Sequence, residues 1–251
     1  MLSISGGSKS VTGSGALLLP STAVMLFAGP LAGRLARTSS RLPPVWKTNL
    51  AAFVFGYGMF ASFVLVPEFV ELPTSTGFGF GASVTEAGLF MLPATLGMLL
   101  AGPISGRLSS TVGSKVPLLI GALVSCFAFV ILAFAHTHGW QIYLAMLVMG
   151  VGIGFAFASM ANIVVESVPR EEVGVATGIN TIMRTLGGAL GAQLVATLLT
   201  SKTIGGSSIP AEAAYTDAFL AAAIAAAFAT VAALTIPRAR RSQPRPVPVT
   251  A

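Results

Sequence analysis

The chain has 251 residues, with 14 lysines and arginines against 8 acidic residues and a net charge of +6. Hydrophobic residues make up 54% and charged residues only 9%, where a typical water-soluble domain carries roughly 25% charged residues. That composition excludes a soluble globular fold, and a single cysteine excludes an intrachain disulfide.

About seven apolar stretches, each roughly 20 residues long, alternate with short polar loops. As helices they would each cross the roughly 30 Å hydrocarbon core of a bilayer. Lipid offers backbone groups no hydrogen bonds, so the expected fold is an all-α membrane bundle of about seven transmembrane helices. Residues 1–14, rich in Ser and Gly, are expected to be disordered. Segment 15–33 is followed, not preceded, by Arg34, Arg37 and Arg41, the wrong order for a cleaved leader, so it reads as a retained helix.

Segment 49–67 carries Tyr57 between two glycines and leads into Glu68 and Glu71. Tyr57 reads as a packing residue or a cation–π platform, and Glu68 as a solvated rim carboxylate or a proton site. Gly77, Gly79 and Gly81 alternate with phenylalanines outside any strand–helix context and read as a flexible loop. Segment 87–106 contains Gly102, Pro103 and Gly106 and ends at Arg107. Segment 116–135 holds Cys126, an inert core thiol by this reading. His136 and His138 follow without the nearby carboxylate or thiol that a metal site needs.

Segment 140–166 places Gly150, Gly154, Ala158 and Ala161 on one face, the spacing of a close helix crossing. Asn162 lies further along, where a buried amide seeks an interhelical partner, and Glu166 ends the segment. Segment 174–200 contains Arg184, the one basic residue inside any segment. A 1.5 Å rise per residue puts it about 15 Å deep. Near mid-membrane an arginine costs at least ~2.5–3.5 kcal/mol on insertion scales. At 100° per residue, Thr177, Asn180, Thr181, Gly187, Gly188 and Gly191 fall within about 60° of it, forming one polar, small-residue stripe expected to face the bundle. Arg184 then either snorkels toward the cytoplasm and pairs with Glu166, or lines a substrate cavity and tunes a carboxylate. Segment 215–236 and a basic, Pro-rich tail, 237–251, complete the chain.

Lys and Arg alternate sharply between the two sides. One side holds Arg34, Arg37, Arg41, Lys47, Arg107, Lys115, Arg170, Arg238, Arg240, Arg241 and Arg245, and the other only Lys9 and Lys202, 11 against 2. The positive-inside rule places the rich side and the C-terminus in the cytoplasm and the N-terminus outside the plasma membrane. The basic excess is thus topological and implies no nucleic-acid partner.

Residues 15–38 recur at 88–111 with 13 identities in 24 positions. Each copy reads L-P, then a helix, then G-P-x-x-G-R-L. Pro30 and Pro103 are expected to weaken the helix near its end, the paired glycines to let backbones pack closely, and Arg34 and Arg107 to stop each segment at the interface. The motif reads as a helix terminus or as a gating turn.

The run Asn49-Leu50-Ala51-Ala52-Phe53, then Glu86 to Leu89 leading to Leu92-Pro93, then Gly106-Arg107-Leu108, resembles the C-terminal half of a major facilitator superfamily transporter. Val168 to Glu172, Gly174 to Gly178 and Asn180 to Gly191 continue the match, which covers about residues 48–236 and is nearest to the fourteen-helix drug–proton antiporters. The resemblance implies six family helices after an extra helix and loop, 15–47. It implies proton-coupled efflux of small hydrophobic or drug-like compounds by alternating access, with the proton as coupling ion and no cofactor or enzymatic activity. The cytoplasmic loop motif departs from the family form, with Ser110 at its acidic position and Thr111 at the following basic one. The helices that carry the family's usual coupling carboxylates have no counterpart here. The copy recurs after two helices, whereas superfamily repeats span three, which fits a rearranged or truncated gene or a misplaced start. The alternative is a remnant or half-transporter that needs a separate N-terminal half, or a second copy, to complete a cavity.

Overall fold

The computed structural model describes residues 43–205, 207 and 209–235. Six helices carry most of them: α1 (Pro43–Glu71), α2 (Val84–Val112), α3 (Lys115–Phe134), α4 (Gly139–Ser167), α5 (Val173–Ser201) and α6 (Glu212–Leu234). All six are long and apolar enough to cross a membrane, so the protein is a multi-pass all-α bundle. The segments 1–14, 15–33 and 237–251 lie outside the described residues.

The helices extend beyond the apolar spans read from sequence. The second span, 49–67, becomes α1 at Pro43–Glu71, and the third, 87–106, becomes α2 at Val84–Val112. Pro93 and Pro103 sit within an unbroken α2, so the expected weakening at Pro103 does not end the helix. Each proline removes one backbone donor, a loss that transmembrane helices absorb through local adjustment and neighbouring groups. Sequence also sets where the helices begin and stop. Ser83 and Glu86 form a reciprocal capping box at the start of α2, with Ser83 N donating to Glu86 Oε2 at 2.7 Å. At its end Gly113 takes φ 89°, a conformation natural to glycine, and the chain reverses into α3 within two residues. The last carbonyls of α6 accept from lysines on other helices: Lys47 Nζ reaches Thr235 O at 2.5 Å and Lys115 Nζ reaches Leu234 O at 2.6 Å.

In the bundle α2 packs on α4, α1 on α5, and α3 against both α4 and α6. Glycines make the tightest crossings. A Cβ on Gly187 would overlap the Phe53 carbonyl, one on Gly56 the Arg184 carbonyl, and one on Gly150 the Ala94 carbonyl. Gly154 meets the Ala101 side chain in the same way, at 2.8 Å. Without a hydrophobic driving force in lipid, such backbone approach supplies the van der Waals contact that holds helices together. Two buried clusters stack along the bundle. One, toward the loops 72–83 and 135–138, centres on Phe69, Phe129, Met146, Tyr215 and Phe219. The other, toward the basic loops, centres on Phe55, Leu118, Met160 and Ile163.

The recurring glycines behave differently from the expectation. Among the described residues no atom lies within 4 Å of a Cβ placed on Gly102 or Gly106, so they make no close crossing within this bundle. The buried face of α2 in this stretch is Phe90, Ala94, Gly97, Ala101, Ser105 and Ser109. The copy carries Leu17, Ser21, Val24, Ala28, Ala32 and Ala36 there, one identity in six. Val24 stands where α2 has Gly97, whose added Cβ would sit 2.7 Å from the Leu147 carbonyl oxygen. Seven of the thirteen shared residues, Gly88, Leu92, Thr95, Leu99, Gly102, Pro103 and Gly106, instead fall within about 100° of arc on the side of the helix away from α4. The repeat therefore preserves the face of α2 that the other described helices leave uncovered.

Candidate functional site: the polar flank of α5

The stripe expected on α5 splits into two parts. Gly187, Gly188 and Gly191 pack against α1, where added Cβ atoms would run into the Phe53 carbonyl, the Phe60 ring and the Tyr57 carbonyl. Asn180 joins the same contact. It is buried, and its Nδ2 donates to Asn49 Oδ1 at 3.0 Å and to the Thr48 carbonyl at 3.4 Å. These four residues fasten α5 to α1. Thr181 stays exposed, its hydroxyl returned to the Thr177 carbonyl at 3.1 Å.

Arg184 points to α4. Its Cζ lies 4.5 Å from the centroid of the Phe157 ring. Such a contact is worth about 2 kcal/mol or more when desolvated, comparable with the insertion cost of the arginine. Of the two readings of Arg184, the pairing with Glu166 does not form. Glu166 is exposed on the last turn of α4 and accepts from Ser114 Oγ at 3.1 Å. The reason is depth: Arg184 lies about 16 Å along α5 from Val173, and Phe157 lies about 15 Å back along α4 from its end. The ring sits level with the guanidinium and the carboxylate does not.

The other candidates scatter. Tyr57 is half-buried beside the first core cluster, and Glu68 is exposed at the rim of α1. Asn162 is half-buried and has no hydrogen bond among the described residues. Gly150 and Gly154 both face α2. Arg107 is exposed at the basic end and contributes its carbonyl to Ser110 Oγ at 2.7 Å. The central void, lined by Phe55, Met59, Ser125, Phe129 and Met149 among others, holds about 10 Å³, the size of a single water. On α5 the polar groups open to a ligand lie on its outer flank, beside Phe157.

Sequence reading missed three sets of residues. The contacts of Phe157 with Arg184 and of Asn49 with Asn180 were not legible, because they depend on which helix lies opposite. Ser105 Oγ donates to the Phe155 carbonyl at 3.0 Å and lies 3.1 Å from Ser159 Oγ, tying α2 to α4. His136 and Glu212, far apart in sequence, meet at 3.0 Å.

A sequence model of the Major Facilitator Superfamily matches residues 48–251. The chain is 28% identical over 157 residues to the multidrug transporter protein MdtP of Bacillus subtilis, covering 62% of this chain and 28% of that protein. It is 29% identical over 157 residues to a tetracycline resistance determinant of Streptomyces rimosus, covering 61% of this chain and 43% of the relative. The match thus spans less than half the length of either relative. Among solved structures, the inward-open xylose transporter XylE of E. coli superposes with a TM-score of 0.63 at 16% identity, covering 78% of this chain and 48% of XylE.

Proposed function

Because the chain belongs to the major facilitator superfamily, with the fold of its C-terminal half, we propose that it supplies one half of a transporter that exports small hydrophobic or drug-like compounds in exchange for protons. The observation that carries this reading is the open flank of α5. Arg184 rests on Phe157 at mid-helix depth, away from the water-sized void beside Phe129. A passage would then form between this bundle and an opposing one, and alternating access would rock the two about it. The names of the two relatives, a multidrug transporter and a tetracycline resistance determinant, support the substrate class. The basic loops orient the C-terminus toward the cytoplasm of the plasma membrane.

A second reading, a half-transporter inactive by itself, is favoured by the uncovered stripe of α2. Leu92 and Leu99 are 50% and 69% exposed there, beside glycines that touch nothing among the described residues. In both readings the lipid bilayer and a complementary bundle are the partners. The test is drug-dependent proton movement in everted vesicles carrying the chain alone, or the chain together with the N-terminal half of a relative. Exchange by the chain alone supports a self-sufficient assembly, and exchange only with the added half supports the second reading. No exchange in either preparation, with the protein inserted and folded, would overturn the transport assignment.

A further inference from the structure

At the end opposite the basic loops, His136 is 6% exposed and both of its ring nitrogens face acceptors. Nδ1 lies 2.7 Å from the Leu132 carbonyl oxygen, and Nε2 lies 3.0 Å from Glu212 Oε1. A carbonyl and an ionised carboxylate can only accept, so a neutral imidazole has one N–H too few for both. Either the ring carries both protons beside a carboxylate, or Glu212 holds a proton and donates it to Nε2. The count is the same: one proton more than a neutral imidazole beside a free carboxylate.

We propose that His136 and Glu212 together form a proton-binding site, and that the bound proton ties the end of α3 to the start of α6. With Nδ1–H held by the Leu132 carbonyl, loss of that proton would leave the Nε2 lone pair facing the carboxylate, and the tie between His136 and Glu212 would break. The site is open to exchange. Glu212 is half-exposed in the first turn of α6, where helix amides favour a negative charge. It lines a recess of about 460 Å³ together with His136, Thr74, Phe78, Phe80 and Thr137.

The surroundings leave Glu212 as the one ionic partner of His136 among the described residues. From α1, the Phe69 ring meets the imidazole edge-on at 5.2 Å. From α6, Tyr215 packs on Phe69, also at 5.2 Å. Glu68 and Glu71 at this end of α1 are exposed, His138 is bound to Thr137 Oγ1 at 2.9 Å, and Lys202 is paired with Asp217. The site stands on this geometry and does not depend on the transport reading.

The chain has two histidines, so His138→Asn leaves His136 as the sole imidazole while keeping a good helix cap at that position. Nitrogen-15 histidine spectra of this variant in detergent micelles follow both ring nitrogens through a pH titration. The expected result is a ring that carries protons on Nδ1 and Nε2 together, and a smaller doubly protonated fraction at the same pH on adding Glu212→Gln. A doubly protonated fraction unchanged by Glu212→Gln overturns the proposal. If that second substitution prevents folding, the first variant still decides: a neutral form protonated on Nε2 in place of Nδ1 overturns it equally.

Discussion

Arg184 illustrates how one side chain carries both a cost and a use. Its insertion cost disfavours it for packing alone, and the Phe157 ring offsets much of that cost without neutralising the charge. Arg184→Ala is therefore expected to leave thermal stability in detergent equal or higher while cutting drug-driven proton exchange at least about tenfold, equivalent to roughly 1.4 kcal/mol. Unchanged exchange by that variant would remove Arg184 from the transport machinery. Asn180 predicts the opposite pattern. Asn180→Ala takes the partner from Asn49 Oδ1, so stability should fall by about 0.6–1.7 kcal/mol in a reversible unfolding assay. The depth of Arg184 was legible from its position in an apolar run, since a charge inside lipid is informative wherever it occurs. Its partner was not legible, because Phe157 and Glu166 both lie on α4 and only the register of two helices decides between them.

At the scale of the helix, small residues mark where backbones can meet but not which ones do. Gly150 and Gly154 were read as a crossing face and contact α2, whereas Gly102 and Gly106 were read the same way and contact nothing described. Both pairs have the same four-residue spacing, so spacing alone could not separate them. The contrast gives a paired expectation. Gly150→Val and Gly187→Val force a side chain into a backbone and should destabilise the bundle by about 1–3 kcal/mol. Gly102→Val should leave that stability within about 0.5 kcal/mol. It should also weaken co-purification with a complementary N-terminal half. Unimpaired co-purification would show that the uncovered stripe of α2 is a lipid face.

For the whole molecule, lipid solvation made the fold readable. Every described span coincides with an apolar run, and the errors lie at helix ends, where capping groups such as Ser83 with Glu86 continue the helix into the interface. What apolar counting could not give was the pairing of ends: Lys115 with the last turn of α6, or His136 with its first, both far apart in sequence. Orientation is directly testable. In a Cys126→Ala background, a membrane-impermeant maleimide applied to intact cells should label Thr137→Cys and spare Arg170→Cys, two exposed positions at opposite ends. The reverse pattern would invert the topology drawn from the basic loops.

The crossings at Gly187 and Gly150 put main chain directly on main chain, with no layer of side chains between the rods. Such a joint has nothing to slide upon and no rotamers to exchange, so α1 with α5, and α2 with α4, are welded into planks. Any shift in shape must then come from planks tilting as units, and a label pair spanning one plank should keep its separation while pairs between planks change theirs.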